Sequence, residues 1–173
     1  MMSHLWMLII LCSLPYGLSV RKNCHTLWKQ LESCISGKDI EIQPIQRRSI
    51  VFSVTRTTDI GLSPLQTLVF DKVYLNEGGG YNAHTGLFTA PVNGIYYFAV
   101  SFLANGGSTH LLLLKNNHEI ARGYGKDQND TGSVVSTVHL KKGDIIRVAE
   151  ITGEGREGIR GDGWSSFNGF KLN

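Results

Sequence analysis

Between Phe70 and Phe98 the chain reads FDKVYLNEGGGYNAHTGLFTAPVNGIYYF, and no other stretch constrains its fold so far. Phe70 to Leu75 is an apolar-rich extended segment. Asn76 to Gly80 supplies a tight turn, because glycine takes positive φ at no steric cost. Thr85 and Gly86 break the chain before Leu87 and Phe88, Pro91 sets the next corner, and Gly94 opens a long strand. From Gly94 to Leu103 one face carries Tyr96, Phe98, Val100 and Phe102, and the other carries Ile95, Tyr97 and Ala99. A strand apolar on both sides is one covered on both sides. With no helix predicted nearby, the second cover is another sheet or another subunit.

Apolar runs separated by turn signals recur at Ile50–Val54, Leu65–Leu75, Leu111–Leu114, Val134–Leu140, Ile145–Ala149 and Phe167–Leu172. No ten-residue segment among them keeps a 3.6-residue period. Many short strands with glycine-rich turns predict an all-β sandwich or jelly roll. About 125 residues are enough to bury a core without disulfides. Phe52, Phe70, Tyr81, Phe88, Tyr96, Phe98, Phe167 and Phe170 are expected to fill it. Asn76, Gly86, Pro91, Gly94, Gly143, Asp144 and Gly169 are expected to mark the turns and strand boundaries.

These residues carry a resemblance. F-D-K-V, then N-x-G-x-x-Y-N-x-x-T-G-x-F-x-A-P, then G-x-Y-x-F resembles the C1q domain, the globular head of complement C1q and its secreted relatives. Leu114–Lys115–Asn116–Asn117, Leu140–Lys141–Lys142–Gly143–Asp144 and Ser166–Phe167–Asn168–Gly169–Phe170–Lys171–Leu172 agree in order and spacing. The likeness covers residues 45–173. It implies a ten-stranded jelly roll of the C1q and tumour-necrosis-factor kind, assembled as a homotrimer. It further implies multivalent extracellular recognition of surface glycans or microbial polysaccharides, a lectin-like role in innate immunity. The alternative it leaves is a cerebellin-like signalling or adhesion ligand for a protein receptor. No Gly-X-Y repeat is present, so the collagen stalk of the best-known members is missing.

Ahead of that domain, residues 1–19 have no charged side chain and an apolar run from Leu5 to Leu11, with Gly17 and Ser19 placed for cleavage. This is expected to be a secretory signal peptide, too short in its apolar run to span a bilayer. Residues 20–44 then form a cysteine-bearing segment and linker. Once Cys12 leaves with the leader, Cys24 and Cys34 remain. Cys24, Leu27, Leu31 and Cys34 are spaced 3, 4 and 3, as in a coiled-coil seam. On a helix the two cysteines lie ~15 Å apart along the axis, beyond the roughly 7 Å a disulfide tolerates. Either the segment is a loop closed by Cys24–Cys34, or it is a short helix with bridges between chains. Cerebellin-like relatives imply the second arrangement.

The composition excludes several classes of function. A net charge of +3 with dispersed basic residues builds no nucleic-acid stripe, and no segment after the leader could span a membrane. His84, His110, His118 and His139 fall in no metal-ligand motif, and no catalytic constellation is visible, so an enzyme is not expected. Gly78–Gly79–Gly80 lacks the Lys–Ser/Thr of a phosphate loop. No cofactor is required; calcium remains an option, because Asp127, Asn129, Asp130 and Asp162 offer the oxygens it prefers. Asn129–Asp130–Thr131 is the one N-x-[ST] sequon and a candidate glycan acceptor. Arg160–Gly161–Asp162 spells the integrin tripeptide, three letters that match easily in a loop of glycines and charges.

Overall fold

The computed structural model describes residues 26–29, 31–32, 49–151 and 158–172. The proposed signal peptide, Cys24, Cys34 and the linker lie outside the described residues, as do residues 152–157 of the late glycine-rich loop. Residues 26–29 and 31–32 are helical, with Leu27 and Leu31 exposed and Trp28 Nε1 donating to Glu32 Oε1 at 2.7 Å. All the strands belong to the second of two compact units, Arg47–Asn173.

Twelve strands run in order: β1 (Val51–Thr55), β2 (Ile60–Gly61), β3 (Lys72–Glu77), β4 (Tyr81–Asn82), β5 (Leu87–Thr89) and β6 (Gly94–Leu103); then β7 (Thr109–Lys115), β8 (His118–Gly125), β9 (Thr131–Leu140), β10 (Ile145–Glu150), β11 (Gly158–Ile159) and β12 (Ser166–Lys171). Ten form two five-stranded antiparallel sheets, ordered β3-β1-β12-β6-β9 and β4-β5-β10-β7-β8; β2 and β11 make a small ribbon. This is the jelly-roll sandwich. The long strand β6 has the boundaries its alternation predicts.

The core is aromatic. Phe52 stacks on Tyr81 and Phe88, with ring centroids 5.1 and 5.2 Å away, and meets Phe167 edge-on at 4.8 Å. Phe98 lies against Phe88 at 5.3 Å. Offset and edge-on pairs of this kind add about 0.5–1.5 kcal/mol each to simple burial. Tyr81 needs a partner for its hydroxyl: it donates to the Phe70 carbonyl at 3.0 Å and accepts from the Phe70 amide at 3.1 Å. Burial pushes its pKa up to about 12.

Most turn positions act as expected. Asn76 closes the glycine turn by donating to the Tyr81 carbonyl and accepting from the Tyr81 amide. Asp144 caps the β9–β10 turn, taking hydrogen bonds from Asn116 Nδ2, the Lys141 amide and Lys115 Nζ. These bonds, Asn116's foremost, hold its pKa down at about 2. Gly169 does not mark a turn or strand boundary: it lies inside β12, paired with Phe52 and Phe98, and lets the strand pass over the core, since a Cβ there would sit 2.5 Å from Phe52 and 2.6 Å from Phe98.

Three further expectations change. Phe170 is not in the core: Phe167 and Gly169 point inward, so Phe170, three residues after Phe167 in a period of two, points out and is 40% exposed. Leu65–Leu75 is not one strand. Its first half lies beside β10, where the Leu68 amide donates to the Val148 carbonyl at 2.8 Å; the chain then crosses to the other sheet with Leu68 and Phe70 buried on the way. Strand β8 has no counterpart among the apolar runs, because its polar positions line an outer edge and Gly123 must pass the Ser133 backbone too closely for any Cβ.

Candidate functional site

The antiparallel order gathers four loops at the end of the sandwich away from the start of β1 and the end of β12. They are residues 56–59, 104–108, 126–130 and 160–165. Asp59 is their hub. Its Oδ1 accepts from the Gly161 amide at 2.8 Å, and its Oδ2 accepts from Asn105 Nδ2 at 3.1 Å and pairs with Arg160 Nη1 at 3.5 Å. Arg160 Nε also donates to Asn129 Oδ1 at 3.2 Å. Asn129, at φ 67°, takes the left-handed conformation that asparagine tolerates and donates its amide to the Ala104 carbonyl. The Asp59 carboxylate therefore ties its own loop to two others, and Arg160 carries the link to the fourth through Asn129.

This network fixes the status of the candidate residues. In Arg160–Gly161–Asp162 the arginine is engaged by Asp59 and Asn129, and Gly161 is buried where a Cβ would collide with the Thr58 backbone. Only Asp162 faces solvent, at φ 48° with its amide donating to the Thr57 carbonyl. Asn129 of the sequon is exposed, its side-chain oxygen occupied by Arg160. Among the possible calcium donors, Asp130 accepts backbone amides on both oxygens, from Lys126 and Thr131. No group of three or more His, Cys, Asp or Glu suited to a metal occurs among the described residues. His84, His110, His118 and His139 lie on separate elements.

Asp59, Asn105 and Trp164 carry no motif and are not visible as a group in the sequence. Trp164 leaves one trace: a large aromatic inside Asp162–Gly163–Trp164–Ser165–Ser166, a turn of small and polar residues with no alternating apolar partner. It is 65% exposed.

A second feature is the outer face of the β3-β1-β12-β6-β9 sheet. Register places Leu75, Ser53, Asn168, Ala99 and Val135 in one cross-strand row and Glu77, Val51, Phe170, Tyr97 and Thr137 in the next. Tyr97 and Phe170 pack with centroids 5.2 Å apart. Ile95, Val135 and Leu172 are exposed beside them. The central three strands of these rows carry no charge. This is the second apolar side of β6, and it stays partly open among the described residues. No helix among the described residues is long and apolar enough to cross a membrane.

Comparison with known proteins agrees with this geometry. The chain is 30% identical over 137 residues to "Heavy metal-binding protein HIP" of Mytilus edulis, which covers 76% of this chain and 64% of that one. It is 45% identical over 71 residues to "Complement C1q tumor necrosis factor-related protein 5" of Rattus norvegicus, covering 40% and 29%. The chain thus spans less than two thirds of the length of both relatives. Among solved structures, the globular domain of zebrafish complement 1qA protein matches with a TM-score of 0.61 at 22% identity, over 72% of this chain and 98% of that one. Eiger TNF from S. frugiperda matches with a TM-score of 0.58 at 16% identity, over 73% and 94%. A family model described as the C1q domain matches residues 51–172, and the chain belongs to the C1q-domain family.

Proposed function

We propose that this is a secreted, multivalent recognition protein that binds surface glycans or microbial polysaccharides through its distal loops. The observation that carries the reading is the open apolar face around Tyr97, Phe170 and Val135. A contiguous exposed apolar surface in a water-soluble domain marks a protein contact, and self-association as a homotrimer would bury it. Three copies would then present three sets of distal loops on one side, and weak identical sites gain avidity without any new contact. The helical residues 26–29 and 31–32 are compatible with cysteine bridges between chains, which would reinforce the assembly.

A second reading, a ligand for a protein receptor, is favoured by the name of the rat relative and by the likeness to Eiger TNF. The two separate on one experiment. The secreted protein is sized by light scattering, then tested for binding to immobilised polysaccharides and to cells, with and without competing free sugar. A trimer whose binding is abolished by sugar supports the first reading. Sugar-insensitive binding to one membrane protein supports the second, and a strict monomer removes the avidity argument. The name of the Mytilus relative raises heavy-metal binding as well, a reading for which the described residues provide no ligand cluster.

A further inference from the structure

We propose that Trp164 is the stacking platform of a neutral-sugar subsite, with the carboxylate of Asp162 as its hydrogen-bonding partner. This rests on the glycan reading above and gives it a place and a chemistry.

The argument begins with the backbone. Every amide from Arg160 to Trp164 is satisfied: Arg160 by the Leu103 carbonyl, Gly161 by Asp59 Oδ1, Asp162 by the Thr57 carbonyl, Gly163 by the Arg56 carbonyl and Trp164 by the Gly161 carbonyl. On the far side, Ser165 is buried and its carbonyl accepts from the Arg56 amide. The turn is held by its neighbours on both flanks, yet Asp162, Gly163 and Trp164 are all exposed. Its largest side chain contributes little to the core. An exposed aromatic on a backbone already fixed is what binding surfaces favour, because the ordering cost of the turn has been met in the free protein.

The setting selects the occupant. In loops 56–59, 104–108, 126–130 and 160–165, Trp164 is the one large exposed hydrophobe among the described residues. A protein partner wants a contiguous apolar patch, which those loops lack. A pyranose ring wants a single flat π-face for its C–H side, whose partial positive charge complements the ring quadrupole, and polar groups around the rim for its hydroxyls. The rim holds Asp162, whose side chain enters no hydrogen bond among the described residues. Asp59, Asp71, Asp130 and Asp144, by contrast, are all engaged; the Asp127 side chain is also unbonded among the described residues but sits on the 126–130 loop, off the turn that carries the indole. A free carboxylate two residues from the indole on the same turn accepts from hydroxyls and repels acidic sugars, and the turn's own cation, Arg160, is already paired with Asp59. The class is therefore a neutral hexose unit, and not a uronate or a sulfated sugar.

The test uses the full secreted protein with immobilised mannan, β-glucan, galactan and chitin, and heparin as the acidic comparison. Wild type should bind at least one neutral polymer more tightly than heparin. Trp164→Ala should lose at least tenfold in affinity, Trp164→Phe no more than about threefold and Asp162→Asn several-fold. Melting temperature and light-scattering mass should be unchanged in all three variants, since both side chains are exposed. If wild type binds none of the neutral polymers, the glycan reading falls and this inference with it. If wild type binds and Trp164→Ala binds equally, the inference alone is overturned. Loss of the oligomer in Trp164→Ala would overturn it too, because the indole would then belong to a contact between copies.

Discussion

The two sheets of this sandwich treat their outer faces differently. Over β3-β1-β12-β6-β9, Val135 and Ile95 are about half exposed, and Tyr97, Phe170 and Leu172 lie beside them, with no charge in these rows on the central three strands. Over β4-β5-β10-β7-β8, the outward apolar residues Leu112, Leu114 and Ala149 form a small buried cluster, with Ile151 packed against it. Their cross-strand neighbours are Arg122 opposite Leu112, and Glu119 and Arg147 on either side of Leu114. Arg122 and Glu119 form a two-bond ion pair at 2.7 and 2.8 Å, and Arg147 reaches Asn117 and the Leu65 carbonyl. Long charged side chains can lay their methylene stems over apolar surface and keep their heads in water. One face is closed over with charged side chains, and the other is left apolar and open.

The strongest way to break that comparison is to place a charge on each face. Tyr97→Glu or Val135→Glu should convert the assembly to monomers in light scattering, because an unpaired carboxylate buried in an apolar contact costs several kcal/mol. Ile145→Glu, on the outer side of the other sheet, should leave the mass unchanged. An unchanged mass for Tyr97→Glu would show that the apolar face is not the contact.

Cavity mutations sharpen the contrast. Leu112→Ala should destabilise the domain by about 2–3 kcal/mol in urea unfolding, since it empties a closed cluster. Val135→Ala, measured on dissociated chains, should stay within about 0.5 kcal/mol. Beneath the open face, Gly169→Ala should cost about 1–3 kcal/mol, because the new methyl must displace Phe52 or Phe98.

The smallest effect concerns Asp144, at the β9–β10 turn. Its folded pKa of about 2 lies below the ordinary value of 3.8. The stability it contributes is therefore present above about pH 4 and lost as the pH falls toward 2. Asp144→Asn should melt lower than wild type at pH 7 and lose less on acidification through that window. Parallel acid curves for the two proteins would argue against the role.

Much of the sandwich is legible in the chain. The alternation of β6, the Asn76–Gly80 turn and seven of the eight aromatics assigned to the core follow from local rules of period and φ. The misses have two causes, strand parity for Phe170 and distant constraints for the rest. Phe170 shares its residue type with Phe167, and only the parity of the strand sends it outward. Leu65–Leu75 is continuous in hydropathy yet serves two sheets. In β8 the polar and glycine positions answer to β9 and to solvent, both of them distant constraints. The candidate site was the least legible part, because Asp59 bonds Gly161 across 102 residues and Asn105 across 46.

By itself the sequence determined the family, the strand-rich pattern and the existence of a second apolar side on β6. These depend on residues close together in the chain, where alternation and turn chemistry act directly. Tertiary structure alone decided that Arg160 is clamped while Asp162 is free, and that Trp164 stands on a rigid turn facing water. Each of these depends on contacts between segments far apart in sequence, and no local pattern encodes such distances.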